Sequence, residues 1–406
     1  MSATPSYSYE ELQRRRTRQA SVLLTPDIYD WYEQMMASHD LYYDETRASW
    51  LLFRYEDVMR VLQDTRTFSS QRTTNPDGSV DPIASGGILG MDPPRHRQLR
   101  SLISMAFTPR AIAQLEPRIR AIVNDLLDHV GDEDGMDAIN DLAFPLPIIV
   151  IAELLGVPAS DREQFRQWSS DFVGTDYALR LATSKKIAAY FQALVEQRRR
   201  QPGEDLVSEL IRAEIDGERL PAPDILGTCL LLLIAGHETT TGLIGNAIVC
   251  LDEHAEAKQE LLAHPELLPS AIEEVLRYRA VVHTIPRIVA VDTMLCGQEI
   301  KAGNLLLPLF AAANLDSRQF PDPGTFDIRR DPNRHLGFGY GIHFCLGAPL
   351  ARLETRIALS ALLERFPNFH RRHAGQLELR PSSFIYGLKQ LPIVFESVSD
   401  SHDHRL

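Results

Sequence analysis

The sequence predicts a mainly α-helical fold with a small β portion, built as one domain over residues 1–406. Three observations carry this. Apolar residues recur with helical spacing over most of the chain. Stretches that read as strands are few and short. The Pro- and Gly-rich punctuation at residues 75–90, 201–203, 221–223 and 321–324 marks turns within one fold, because none of it is long enough to separate two cores. Length alone argues for two to three domains of roughly 150 residues, so the single-fold reading rests on the missing linkers. In chain order, apolar spacing predicts helices over residues 27–38, 55–64, 93–107, 111–130, 144–155, 162–174, 179–199 and 206–214. A long helix follows from residue 223 to about 253, then helices over 265–278 and 348–366. Strands are expected at 50–53, 287–291, 305–309 and 391–395. Polar segments at 1–24 and 397–406 lie outside this pattern.

Composition narrows the class. The chain is 44% hydrophobic and 24% charged, close to globular averages, which excludes disordered and fibrous classes. It carries 42 Lys and Arg against 55 Asp and Glu, a net charge of −13, so no electrostatic footprint for nucleic acid exists. Four cysteines, Cys229, Cys250, Cys296 and Cys345, are too few and too scattered for a disulfide scaffold or a zinc site. A reducing, cytoplasmic setting is the default expectation. The basic residues Arg14, Arg15, Arg16 and Arg18 have no apolar stretch behind them, so no secretory signal is expected. The longest apolar run, residues 225–236, is too short to cross a bilayer and reads as a buried helix without a membrane anchor.

The most informative segment is Phe338-Gly339-Tyr340-Gly341-Ile342-His343-Phe344-Cys345-Leu346-Gly347-Ala348. Its glycines permit a tight loop that presents the Cys345 sulfur, with backbone N–H groups aimed at it. The helix starting directly behind the loop places positive partial charge near the sulfur and favours the thiolate. No second Cys or His lies at chelating spacing, so a metal held here must bring its other ligands with it. A haem iron does so, and cysteine thiolate is one of its axial ligands. A lone cysteine without such context is a small buried hydrophobe, the reading kept for Cys229, Cys250 and Cys296.

This segment resembles the haem-binding signature of the cytochrome P450 family, Phe-Gly-x-Gly-x-His-x-Cys-x-Gly, and matches every fixed position. The resemblance implies a triangular, helix-rich prism around a buried haem b, with Cys345 as axial ligand and Phe338, Gly339, His343 and Gly347 in the loop that holds it. Three further motifs are consistent with it. Within the long helix, Ala235-Gly236-His237-Glu238-Thr239-Thr240 places an acid and a hydroxyl in an apolar helix, where both are costly to bury without purpose. The family match assigns Thr239 to hydrogen-bonding dioxygen at the haem and Glu238 to proton relay. Ala235 and Gly236 would lie against the cofactor, while His237 could face either the pocket or a neighbouring helix.

Glu274 and Arg277 lie three apart on one helix face. In an arbitrary helix this is a surface ion pair; in the family it is buried and tied to the segment before the thiolate loop, with His335 as the expected third member and Arg334 as the runner-up. Asp92-Pro93-Pro94-Arg95-His96-Arg97-Gln98-Leu99-Arg100 resembles the bacterial propionate-binding helix. His96 and Arg100, together with Arg287 and His343, match the four contacts to the haem carboxylates, for which guanidinium forks are suited.

The resemblance covers nearly the whole chain and is most like the soluble bacterial branch, especially its macrolide- and lipid-hydroxylating members. It implies an oxidoreductase acting on paired donors with incorporation of molecular oxygen, a haem-thiolate monooxygenase hydroxylating C–H bonds. The apolar candidate pocket, including Leu231, Val282, Ile285, Phe384 and Ile385, argues for a lipophilic small molecule: a fatty acid, steroid, terpenoid or macrolide. Arg72 or Arg180 could pair with a fatty-acid carboxylate. No flavin or iron–sulfur domain is fused, so electrons are expected from a ferredoxin and its NAD(P)H-dependent reductase. Docking candidates on the proximal side are Arg95, Arg97, Arg352 and Arg356, and a monomer is expected. Two alternatives stand beside this reading. One is a peroxide-driven peroxygenase on the same fold, against which the acid–alcohol pair argues. The other is a non-catalytic haem-binding protein, or a hydrolase using Cys345 with His343, whose spacing is poor for nucleophile and base.

Overall fold

A 32-residue helix through the middle of the molecule, α9 (Ala222–Glu253), organises the fold in the computed structural model. The structure describes residues 25, 27–71, 87–130, 134–173, 176–215, 218–373, 375, 377–380, 382 and 384–395. Before α9 come α1 (Ile28–Ser38), α2 (Tyr55–Gln63), α3 (Arg95–Ile103), α4 (Pro109–Asp128), α5 (Pro145–Leu154), α6 (Arg162–Val173), α7 (Tyr177–Arg200) and α8 (Leu206–Arg212). After it come α10 (Ala255–Ala263), α11 (Leu268–Tyr278), α12 (Phe310–Ala313) and α13 (Ala348–Arg365).

Helix α9 is apolar on nearly every face, and a helix of that composition must be surrounded. Helices α5, α6, α7, α11 and α13, with the π-helical turn Ala138–Ala143, pack around it and form the main core. By length and composition α9 could span a bilayer, because the helix extends well beyond the apolar run legible in the sequence. In the fold 78% of its most apolar window is buried against neighbouring helices, which makes it a core helix.

The β portion is larger than expected. A five-stranded sheet has the order β1 (Leu41–Asp44), β2 (Ser49–Leu52), β10 (Leu305–Pro308), β7 (Arg287–Val289), β3 (Phe68–Ser69). β10 runs parallel to β2, pairing Leu306 with Trp50 and Leu307 with Leu51, and antiparallel to β7. A second apolar cluster fills the space beneath it. Strands β4 (Gly135–Asp137), β11 (His370–Arg371) and β12 (Pro392–Val394) form a three-stranded sheet. Two small hairpins, β5 (Glu214–Ile215) with β6 (Glu218–Arg219) and β8 (Thr293–Leu295) with β9 (Gln298–Ile300), complete the set. These pieces are two to four residues long, too short to display an alternating pattern.

Helix boundaries follow capping chemistry. The helix expected from residue 111 starts at Pro109, because Thr108 Oγ1 accepts the Ala111 N–H and proline suits the first helical position. The helix expected over 93–107 is instead α3 followed by a 3₁₀ turn, Ser104–Phe107, and that over 265–278 opens with a 3₁₀ turn, Pro265–Leu267, before α11.

Candidate functional site

The thiolate loop is set by two glycines in the left-handed region, Gly339 (φ 70°) and Gly341 (φ 71°). A Cβ at Gly341 would also stand 2.7 Å from Leu62 O at the end of α2, so only glycine fits. The Cys345 N–H donates to Phe338 O at 2.9 Å and closes the loop, after which Gly347 leads into α13. Arg352 of α13 lies 4.5 Å from the centre of the Phe338 ring and holds Glu273 through two bonds of 2.7 and 2.6 Å. Arg100 Nη2 donates to Phe344 O at 2.6 Å, tying α3 to the same loop.

The helix end was expected to favour the thiolate. The Gly347 and Ala348 N–H groups, Arg100 and Arg352 do pull the Cys345 pKa down, yet burial outweighs them and pushes the thiol up. Cys345 nevertheless keeps part of its surface exposed, and the donors and cations converging on it would stabilise the thiolate once an iron is bound.

Beside the loop, the His96 and His343 rings meet at a tilt of 60° with centroids 4.4 Å apart. His343 Nε2 bonds Ser70 Oγ at 3.0 Å, whereas His96 Nε2 is buried with no hydrogen-bond partner among the described residues. Burial, then Arg287, His96 and Arg100, drive the His343 pKa down to about 3; burial and Arg100 lower that of His96. The carboxylate of Asp92 is engaged by Ser69 Oγ and the Ser70 N–H. Two imidazoles and two guanidiniums thus share one region, with an orphaned buried nitrogen among them. This is a donor set for an anion such as the carboxylates of haem.

On α9, Ala235 is exposed and Thr239 half-buried, although the helix around them is buried. They lie four apart and share a face, and Thr239 Oγ1 donates to Ala235 O at 2.6 Å. That bond uses the hydroxyl proton inside the helix and leaves the oxygen free to accept from the open side. Gly236 departs from expectation: a Cβ there would meet Ile151 of α5 at 3.4 Å, so the missing side chain points at a helix neighbour and not along the open face of Ala235. One residue along a helix is about 100° around it, so the two Cβ directions differ.

His237 turns toward a neighbouring helix. It is buried, with Nδ1 2.7 Å from Ser169 Oγ of α6 and its ring 4.2 Å from that of Phe144, and burial pushes its pKa down to about 3. Glu238 is also buried, which raises its pKa. Its oxygens lie 3.4 and 3.5 Å from Arg380 Nη1, which opposes that rise.

Glu274 and Arg277 are completely buried and joined by bonds of 2.8 and 2.7 Å, as expected. The third member is corrected. His335 Nε2 bonds Glu273 at 3.0 Å and so belongs to the Arg352 pair; Glu274 is met instead by Arg330 Nε at 3.2 Å and Asn333 Nδ2 at 3.0 Å. Nor does Arg334 serve there: among the described residues the ion pairs of Glu274 are with Arg277 and Arg330. Consecutive acids on α11 point to different sides, and the loop before the thiolate distributes its basic residues between them. Arg330 sits in an irregular stretch of that loop, outside any helix or strand, so no spacing rule could single it out.

Among the pocket candidates, Val282 and Ile385 form an antiparallel bridge, and the His283 N–H donates to Phe384 O at 3.1 Å, bringing these segments together. Ile285 packs on the sheet-side core and Leu231 lies in the main core, one turn before Ala235 on α9. Arg180 lies on α7, and Arg72 falls outside the described residues. Of the docking arginines, Arg95 pairs with Asp224, Arg352 with Glu273 and Arg356 with Glu116; Arg97 is exposed, and no ion pair involves it among the described residues.

Comparison with known proteins gives a consistent result. The family model described as Cytochrome P450 matches residues 26–157 and 163–384. The cytochrome P450 monooxygenase PikC of Streptomyces venezuelae is 42% identical over 377 residues, 90% of this chain and 91% of PikC. The cyclomarin C epoxidase CymV of Salinispora arenicola is 41% identical over 350 residues, 84% of this chain and 89% of CymV. The crystal structure of CYP109E1 from Bacillus megaterium in complex with testosterone superposes with a TM-score of 0.87 at 39% identity, covering 93% of this chain and all of that one.

Proposed function

From the premise that this chain belongs to the cytochrome P450 family and is a haem b-dependent monooxygenase, we propose that it hydroxylates C–H bonds of a lipophilic small molecule, a fatty acid, steroid, terpenoid or macrolide, with electrons from a ferredoxin and its NAD(P)H-dependent reductase, as a cytoplasmic, single-domain monomer. The observation that carries the dioxygen route is the acid–alcohol pair, Glu238 beside Thr239, on an otherwise apolar helix whose face is open at Ala235 and Thr239.

When bound, haem b activates dioxygen and oxidises the substrate carbon. Cys345 would hold the iron through its sulfur and supply electron density to it. Arg100 and Arg287 would neutralise the haem carboxylates, and His96 and His343, kept neutral by burial, would hydrogen-bond them and help fix the cofactor's orientation. Thr239 offers its oxygen as an acceptor on the open side of α9, because its proton is committed to Ala235 O. Glu238, whose burial raises its pKa above the ordinary carboxylate value, holds a proton closer to neutral pH than a solvated acid does, which suits proton delivery. Glu274, Arg277 and Arg330 brace the segment leading into the thiolate loop. The apolar side chains of Val282, Phe384 and Ile385 exclude water and favour a lipophilic ligand. The complex of CYP109E1 with testosterone supports a ligand of that kind.

For electron delivery, Arg95, Arg352 and Arg356 are paired within this chain, which leaves Arg97, of these four the one with no ion pair among the described residues, as the cation offered to a partner. Spectral titration for the low- to high-spin shift across fatty acids, steroids, terpenoids and macrolides tests the substrate class. Turnover of the compounds that bind, with NAD(P)H and a ferredoxin chain under dioxygen, tests the reaction. Product formed only with peroxide would replace this reading with a peroxygenase.

A further inference from the structure

Arg380 reaches Glu238 from a segment to which the sequence assigned no role. Its backbone N–H donates to Gly387 O at 2.8 Å and its Nε to Leu388 O at 3.1 Å, so the residue is pinned across a narrow loop whose flanks bridge at Leu379 and Leu388. Its guanidinium carbon lies 4.5 Å from the centre of the Phe144 ring, and Nη1 is 3.4 and 3.5 Å from the two oxygens of Glu238. A carbonyl, an aromatic face and a carboxylate together fix the planar fork in one place.

The other charged and titratable groups nearby are committed elsewhere. His237, on α9 itself, lies 3.8 Å from Glu238, but its Nδ1 is engaged by Ser169 of α6 and burial keeps the ring neutral. Arg166 of α6 stands 5.8 Å from the Phe144 ring and binds Glu163 through its fork. Arg380 is therefore the charged cation within ion-pair distance of Glu238 among the described residues. The contact is long beside the 2.7 and 2.8 Å bonds that lock Arg277 to Glu274. A pair of this kind holds a carboxylate without locking it. Arg380 also retains 19% side-chain exposure against 3% for Glu238, so it forms the edge between the buried acid and solvent.

We propose that Arg380 is a positioning residue that sets the resting place and charge of the Glu238 carboxylate, and so the pH range over which the Thr239 face receives protons. The proposal rests on the monooxygenase reading and deepens it.

The test uses haem-loaded wild type, Arg380→Gln, Arg380→Lys, Glu238→Gln and the Arg380→Gln/Glu238→Gln double variant. Infrared difference spectra against Glu238→Gln follow the protonated-carboxyl stretch of Glu238 with pH, without turnover. In Arg380→Gln this band persists to higher pH than in wild type, and the alkaline limb of coupling, product formed per NAD(P)H consumed, moves the same way. Arg380→Lys keeps both close to wild type, and in the Glu238→Gln background, which has no such band, Arg380→Gln leaves coupling unchanged. A band that does not move, a lysine variant that behaves as glutamine does, or an equal coupling change without Glu238 overturns the proposal. If Arg380→Gln does not load haem, Arg380→Met, which keeps the stem against Phe144, takes its place with the same outcomes. A wild type that forms no product with dioxygen sinks the monooxygenase reading instead and leaves the infrared result standing.

Discussion

Cys345 and Thr239 can each be tested by one atom group. Cys345→His and Cys345→Ala remove the sulfur from a loop that Gly339, Gly341 and the Cys345–Phe338 backbone bond otherwise keep in shape. Both are expected to lose the strongly red-shifted Soret band of the reduced carbon monoxide complex. A variant that retains the band would show that the sulfur is not the ligand. Thr239→Ala removes a hydroxyl whose proton is spent on Ala235 O and whose oxygen faces the open side. The expected outcome is retained haem with product per electron lowered by roughly tenfold or more, the missing electrons appearing as peroxide. The thiolate loop, the acid–alcohol pair and the Glu274–Arg277 pair were legible in the sequence because each is a local pattern, closed within about ten residues. Arg380 and Arg330 were not, because each acts on a residue far away in the chain and sits in a loop without periodicity.

At the scale of elements, the joint between α11 and the thiolate loop shows why spacing reaches only part of the way. Glu274 and Arg277 meet within one helix, so their pairing follows from geometry alone. The third partner depends on how the loop carrying Arg330, Asn333 and His335 lies over α11, and there Glu273 and Glu274 take different partners. Arg277 is fully buried, held by Asn314 O, Pro323 O and Thr325 O besides Glu274. Glu274→Ala strands that charge and is expected to cost about 3–5 kcal/mol of stability in denaturant unfolding. His335→Ala removes one bond to Glu273, which keeps Arg352, and is expected to cost about 1 kcal/mol. Equal losses would contradict the corrected assignment.

The whole molecule titrates through its buried histidines. Burial holds His237 and His283 neutral, their pKa values pushed down to about 3 from an ordinary value of about 6.5. The unfolded chain therefore binds more protons than the folded one between those values, and stability falls as pH drops through that window. Each histidine contributes a slope of up to about 1.4 kcal/mol per pH unit. Urea midpoints measured from pH 7 to 4.5 should fall accordingly. His283→Gln should lessen the slope by up to one proton, although it forfeits the 2.8 Å bond between Tyr32 Oη and His283 Nδ1 and lowers the absolute midpoint. An unchanged slope would mean that His283 is not buried neutral.

Periodicity and short motifs are written by neighbours in the chain, and they were enough to reveal the helical class, the family and the loop that presents Cys345. The tertiary structure decided which partner each charge takes: Arg330 in place of His335 on Glu274, Arg380 on Glu238, and the pairing of Arg352 with Glu273 and of Arg356 with Glu116. It also decided that Gly236 faces Ile151 while Ala235 and Thr239 share the open face. The physical reason is common to all of these. Electrostatic pairing and helix orientation depend on distances through space, and elements far apart in the sequence bring those groups together only once α9 is enclosed.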